Sequence, residues 1–170
     1  MSSRSDRRRL TTLEEQAYAE AKEHFVEHLK QFPASRLIVE RLEQGVAKIA
    51  LAANMAASQT SQESPIPTDD GTQWHRSVDL TDNICLCHRP ISGGVEYAVL
   101  EYFPDRGRHE IWHRGPNVVE VLRLFVQEQR QALQVWTEDL ASQVREFLEE
   151  KYPRQNVSRA ASSFMQLLRA

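Results

Sequence analysis

Residues 117–152 read NVVEVLRLFVQEQRQALQVWTEDLASQVREFLEEKY and contain neither glycine nor proline. Asn117 followed by Glu120 has the pattern of a capping box, and Pro153 ends the run. Large side chains recur at a mean spacing of about 3.6 residues, the period of a straight α-helix. They are Val118, Leu122, Phe125, Gln129, Leu133, Trp136, Leu140, Val144 and Phe147. The pattern predicts one long amphipathic helix over 117–152.

The length of this helix bears on function, because at 1.5 Å per residue it would extend about 54 Å. A globule of this chain length is roughly 40 Å across, so we expect the helix to reach beyond its own domain. We hypothesise that its far part is a dimer or partner surface, the partner seam, made of Trp136, Leu140, Val144 and Phe147. The alternative is that the seam is intramolecular core. Leu124 and Val135 give the helix a second apolar side.

Two helices are predicted before this point. The first begins at Thr11 or Thr12, where Thr12 with Glu15 forms a capping box, and Pro33 ends it. The second covers about 35–57, so 11–57 should form an antiparallel helical hairpin. Residues 58–72 are rich in Ser, Thr, Gln, Pro and Asp and are predicted to be a flexible linker.

From Gln73 onward the apolar period changes to two, which predicts a three- to four-stranded antiparallel β-meander. The turn at 104–107 places Phe103 opposite Arg108, and hence His109 beside Tyr102 and His113 beside Ala98. The same register sets Glu101 against Glu110, which is unfavourable unless Arg76 or Arg108 lies between them.

A short helix from Ser158 completes an α+β fold with a hairpin, a meander, a long helix and a terminal helix. We expect residues 1–10 to be a disordered basic arm and 11–170 to be one domain, in which 73–170 holds the meander and the C-terminal helices.

Six histidines and two cysteines raise the possibility of a metal site. The candidate ligands are His24 and His28, spaced i, i+4, and Cys85 and Cys87, which lie on one side of a strand. The sequence has no second ligand pair at zinc-finger spacing. It favours solvated histidines and thiols that fill a strand face, with no metal or cofactor bound.

Motifs for acyl transfer, for a phosphate-binding loop and for dinucleotide binding are all missing from the sequence. We therefore assign no catalytic residue, although a site built from residues distant in sequence stays an alternative.

The charge distribution suggests a second kind of function. The net charge is −3, but residues 1–10 and 153–170 each carry +3, which leaves −9 on residues 11–152. Such an acidic body is a poor match for nucleic acid, so any contact would use the ends. The candidates in the arm are Arg4, Arg7, Arg8 and Arg9.

The location expected from the sequence is cytoplasmic. Two cysteines one residue apart favour a reducing compartment, and the longest apolar stretch, 46–57, is too short to span a bilayer. We expect a non-catalytic protein-interaction module, a subunit, adaptor or chaperone-like regulator, that binds a partner or itself through helix 117–152. The alternatives are a nucleic-acid-associated regulator that uses its Arg-rich ends, and a metal-dependent enzyme that uses a histidine cluster.

Overall fold

The computed structural model describes residues 10–59 and 63–169, and it confirms the α+β class. In these residues the chain forms four helices and one antiparallel sheet. The helices are α1 (Thr12–His24), α2 (Val26–Ala57), α3 (Val118–Lys151) and α4 (Ser158–Arg169). The strands are β1 (Ile66–Pro67), β2 (Gln73–Asp79), β3 (Ile84–Ile91), β4 (Gly94–Phe103) and β5 (Arg108–Gly115).

The long helix is continuous and has the predicted cap. The Glu120 N–H donates to Asn117 Oδ1 at 3.2 Å, and α3 then continues without interruption to Lys151. Because no glycine or proline interrupts it, the chain has no local reason to leave the helix.

The boundary between the first two helices differs from the prediction. Pro33 lies inside α2, and the break falls at Phe25, where the backbone hydrogen bonds continue from Ala21 to Leu29. Proline removes a single N–H donor, and Pro33 points to solvent, so α2 tolerates it. The predicted hairpin turn at Pro33 is therefore wrong.

The sheet has the strand order β1-β2-β3-β4-β5 and curls into a half-barrel. Strand β1 pairs with β2, and Thr68 bridges His109 on β5. Both β1 and Thr68 lie in the span predicted to be a flexible linker, so residues 66–68 of that span are part of the sheet. A two-residue strand in a Pro- and Ser-rich segment is too short to show the alternation of apolar and polar residues by which a strand is predicted.

The meander register is confirmed at the turn and wrong further along. Phe103 pairs with Arg108 and Tyr102 with His109, as predicted. A bulge between Val99 and Leu100 then shifts the register, so His113 pairs with Val99 and not with Ala98. The extra residue moves His113 to the other face of the sheet, where its Nε2 lies 3.1 Å from Glu128 of α3.

The predicted pairing of Glu101 with Glu110 exists, and cations relieve it. Arg108 Nη2 lies 3.2 Å and Arg106 Nη1 2.7 Å from Glu110 Oε1. The indole N–H of Trp112 donates to Glu101 at 2.8 Å. Each carboxylate therefore has its own donor, and the Arg108 contact is one of the two that the sequence suggested.

The chain divides into two compact units. That residues 11–170 form one domain stays a prediction. The central unit is Ile38–Gln131, and the terminal unit consists of the residues up to Leu37 and from Ala132 onward. Both divisions fall inside helices, α2 and α3, whose amphipathic pattern continues across them. No change of composition marks the boundary, so the sequence gives no linker signal.

The terminal unit has an apolar helical core that includes Phe25, Leu140, Val144, Phe164 and Leu168. The ring of Phe25 lies 5.6 Å from that of Phe147 and 5.8 Å from that of Phe164, both edge-on.

The inner face of the half-barrel in the central unit is filled by Trp74, Cys85, Cys87, Ala98 and Leu100. At one end of this face Glu96 accepts hydrogen bonds from Arg89 and Arg114, and both guanidinium groups lie over the Trp74 ring. Burial opposes ionisation of Glu96, but these bonds outweigh it and lower the pKa of the carboxyl group.

Candidate functional site

The partner seam lies within the core of the terminal unit. Leu140 and Val144 are fully buried, and Trp136 and Phe147 are half-buried against the same core. The Trp136 indole N–H donates to His28 Nδ1 at 3.2 Å, and Phe147 stacks on His24 at 4.2 Å. This corrects the predicted surface role, because side chains of the same unit cover the seam.

The metal-ligand candidates are not brought into a common site. His24 and His28 contact aromatic rings, and Cys85 and Cys87 are free thiols in the half-barrel. Among residues 10–59 and 63–169, no three His, Cys, Asp or Glu side chains are grouped so that they could hold a metal ion. The arm arginines Arg4, Arg7, Arg8 and Arg9 lie outside the described residues.

A groove between α2 and α3 in the central unit is the first candidate site. It has a volume of about 610 Å³ and an apolar floor formed by Val46 and Ala47 of α2 and Val119 and Val126 of α3. Its polar rim consists of Glu43, Gln44, Arg123, Gln127 and Arg130.

The charge of the groove rim is unequal. Arg130 is paired with Glu43, whereas Arg123 has no ion-pair partner among the described residues. The rim has two arginines and one glutamate, so one positive charge on the rim is not neutralised by a rim carboxylate.

The apolar surface of the groove continues along α2. Ala47, Leu51 and Met55 are spaced i, i+4, i+8 and form one stripe. Leu51 is 62% exposed and Met55 is 56% exposed, while Ala50 and Ala53 on the opposite side are buried. This part of α2 is thus apolar on its buried side and on its solvent side, which is unusual for a surface helix.

A cavity of about 560 Å³ at the open end of the half-barrel is the second candidate. Side chains from four strands converge there: Arg76 and Asp79 of β2, Cys85 of β3, Tyr102 of β4 and His109 of β5. Arg76 Nε lies 3.5 Å from Asp79, and the rings of Tyr102 and His109 are 4.9 Å apart. Burial and the charge of Arg76 lower the pKa of His109, which favours the neutral imidazole.

The loop between β2 and β3 forms the rest of the cavity wall and is well ordered by hydrogen bonds. The Leu80 and Thr81 N–H groups both donate to Ile84 O, and the Tyr102 N–H donates to Asn83 O at 2.7 Å. The hydroxyl of Thr81 accepts from the N–H groups of Asn83 and Ile84. One wall of the cavity is thus a loop held by its own hydrogen bonds.

Cys85 and Cys87 lie side by side below this cavity. Their sulfur atoms are 3.3 Å apart, and only Cys85 lines the cavity. Hydrogen bonding to Cys87, helped by Arg76, lowers the pKa of Cys85 against the effect of burial. The same bond and deeper burial raise the pKa of Cys87. Neighbouring thiols therefore have opposite tendencies to ionise.

Sequence reasoning found part of these sites. It placed both cysteines on one side of a strand, which is correct. It missed Arg76, Tyr102 and His109 as their neighbours, because a curled sheet brings them together from separate strands. The indication of the groove was weaker: residues 46–57 include more apolar side chains than one buried face of a helix requires.

The sequence matches no protein-family model and no curated protein, and the fold matches no solved structure. In the described ranges, every helix is either too short or too polar to cross a membrane.

Proposed function

We propose that the protein is a binding module that takes an acidic amphipathic helix of another protein into the groove between α2 and α3. The observation that carries this proposal is the groove itself, with a valine floor, an excess arginine on the rim and an exposed apolar stripe leading out of it. The long helix keeps the binding role that the sequence suggested, but through its first half.

Helix-in-groove recognition fits the spacing of the groove residues. Val119, Arg123, Val126 and Arg130 follow one another at i, i+4, i+7 and i+11, so they line α3 along its length. A helical ligand presents apolar anchors with the same spacing, and an α-helix held between two others buries its apolar face in this way.

Charge decides which helix the groove would prefer. Arg123 and Arg130 outnumber Glu43 on the rim, so a carboxylate on the ligand gains a favourable contact and a lysine does not. Exposed Leu51 and Met55 add apolar area, and methionine adapts to irregular partner surfaces.

The test places a photo-cross-linking amino acid at Gln44 on the groove rim, in cells that make the protein. The matched control carries the same group at Gln73, another exposed glutamine of the central unit. We expect an adduct from Gln44 whose cross-linked peptide maps to an acidic amphipathic helix, and little adduct from Gln73. An equal yield from both positions, or an adduct with a second copy of this chain, would overturn the proposal.

A charge reversal then tests the rim. Arg123→Glu should weaken binding of the identified helix by about tenfold or more, because it replaces attraction with repulsion. Arg154→Glu, at an exposed arginine outside the central unit, should leave the affinity unchanged. Equal affinities of the two variants in a fluorescence titration would exclude the groove.

A further inference from the structure

The thiol pair in the half-barrel has an arrangement that packing alone does not require. Cys85 and Cys87 alternate with Leu86 along β3, so both thiols face the interior of the sheet. Their Sγ atoms are in direct contact at 3.3 Å, and neither forms a disulfide. Two small apolar residues would fill the same volume without placing two nucleophiles together.

Access separates the two thiols. Cys85 lines the cavity at the open end of the half-barrel, where a small molecule has about 560 Å³ of space. Cys87 is fully buried behind it and belongs to the same core cluster as Trp74 and Ala98. A reagent that enters the cavity therefore meets Cys85 first.

Charge favours the same order. The Arg76 guanidinium lies at the cavity and stabilises a negative sulfur on Cys85, while Asp79 opposes it more weakly. Cys87 shares its proton with Cys85 and lies deeper in apolar surroundings, so it stays protonated. The thiolate is the attacking form of cysteine, which makes Cys85 the nucleophile.

We propose that Cys85 and Cys87 form a redox-active dithiol, in which Cys85 attacks a small organic disulfide that enters the cavity and Cys87 resolves the product. The inference is independent of the helix-binding groove, because it uses the half-barrel cavity and none of the groove residues.

The chemistry balances as a thiol–disulfide exchange. Cys85 loses its proton to solvent, and its thiolate attacks one sulfur of RS–SR, forms a Cys85–SR bond and releases RS⁻, which takes up a proton. Cys87 then gives up its proton, attacks Cys85 Sγ and displaces the second RS⁻, which that proton converts to RSH. The dithiol is oxidised to an internal disulfide, and RS–SR is reduced to two RSH.

The internal disulfide should be easy to reduce again. Residues two apart on a strand have Cα atoms about 6.6 Å apart, near the upper limit for a disulfide. Closing the bond requires β3 to contract, and strained disulfides have more oxidising potentials. The pair is therefore suited to reversible oxidation and poorly suited to a permanent cross-link.

The experiment treats the folded, full-length protein with glutathione disulfide, traps remaining thiols with an alkylating reagent, and identifies the products by mass spectrometry. We expect the wild type to lose two hydrogen atoms and to have neither cysteine alkylated. Dithiothreitol should restore both thiols. A wild-type protein that keeps both thiols reduced, but reacts once it is unfolded in urea, would overturn the proposal without any variant.

Variants test the order of attack. Cys87→Ser should retain one glutathione on Cys85, whereas Cys85→Ser should leave Cys87 unmodified in the folded protein. Arg76→Gln changes a half-exposed side chain outside the core and should slow the reaction several-fold. Glutathione on Cys87 at the rate seen for Cys85, or no effect of Arg76→Gln, would overturn the assignment of Cys85 as the attacking thiol.

Discussion

The terminal and central units are stabilised in different ways. The terminal unit buries an almost purely apolar and aromatic set, in which Phe25, Leu140 and Phe164 meet between helices. The central unit buries two thiols and His88 beside its apolar groups, and its partly exposed Glu96 carboxylate binds two arginines. Apolar packing responds to lost volume, whereas buried ionisable groups respond to pH and redox conditions. Among the described residues, both buried thiols and the buried histidine lie in the central unit, whereas the terminal unit buries Glu14.

This difference also separates the two halves of α3. In the terminal unit the apolar side of the helix is covered, and Leu140 and Val144 are inaccessible. In the central unit Val119 and Val126 line a groove that is open on one side. The same helix thus supplies core in one unit and one wall of an open groove in the other.

The largest effect is expected from truncation in the terminal core. Leu140→Ala should lower the free energy of unfolding by about 2–5 kcal/mol, because Leu140 is fully buried among aromatic side chains. Val135→Ala, 55% exposed on the same helix, should change it by less than about 0.5 kcal/mol. Urea unfolding followed by circular dichroism measures both. If Leu140→Ala kept full stability and changed only the oligomeric mass, the partner-seam hypothesis would be restored.

A smaller loss is expected from the polar network of the central unit. Glu96→Gln keeps the size of the side chain but removes the charge that binds Arg89 and Arg114. Hydrogen bonds to charged groups are worth about 1.5–3 kcal/mol, so the unfolding free energy should fall by about that amount. Asp82→Asn, at an exposed loop residue, is the control. Equal stability of the two variants in urea would mean that solvent screens the network.

The pH response should come from the central unit. Burial, together with nearby His75, lowers the pKa of His88 below its ordinary value of 6.5, and the Ser77 hydroxyl lies 2.5 Å from its Nδ1. The unfolded chain therefore binds a proton at this residue at higher pH than the folded protein does. The resulting stability is present above pH 6.5 and is lost as the pH falls through the interval between the two pKa values.

The measurement compares unfolding free energies at neutral pH and at about pH 5. His88→Gln should lose less stability on acidification than the wild type, although part of the slope remains because burial also lowers the pKa of His109. His24→Gln, at an exposed histidine of the terminal unit, is the control for replacing an imidazole elsewhere in the chain. A larger loss of stability on acidification for His88→Gln than for the wild type would mean that folding does not lower the pKa of His88.

The fold was predictable where a single period governs a long segment. The apolar spacing along α3 predicted one continuous helix, and the structure has it. Strands β3 and β4 were also predicted, although four consecutive residues in each are buried, so both of their faces are covered. Prediction failed where pairing with another strand determines the register or the existence of an element. The bulge beside Val99 moves His113 to the other face, and a two-residue β1 has no period of its own.

The sites were less predictable than the fold, for a related reason. Strand geometry places Cys85 and Cys87 on the same side of β3. The cavity above them, in contrast, exists only because the sheet curls. In the groove, Val119 and Val126 have the same spacing as core residues. A single sequence cannot separate a covered valine from one that lines an open groove.

The smallest effect concerns the first residue of α1, where two threonines each stand three residues before a glutamate. The sequence favoured Thr12 with Glu15, but the capping box uses Thr11 with Glu14: the Glu14 N–H donates to Thr11 Oγ1 at 3.2 Å. Glu14 is buried and lies 3.5 Å from Arg159 of α4, a contact that the local pattern does not contain.

Alanine at each threonine tests which one caps the helix. Thr11→Ala should reduce the unfolding free energy by about 1 kcal/mol, since it leaves an N–H group of the first turn without its acceptor. Thr12→Ala should have almost no effect, because that side chain is exposed and lies one residue inside the helix. The opposite ranking would mean that the local pattern, and not the contact between α1 and α4, sets the start of the helix.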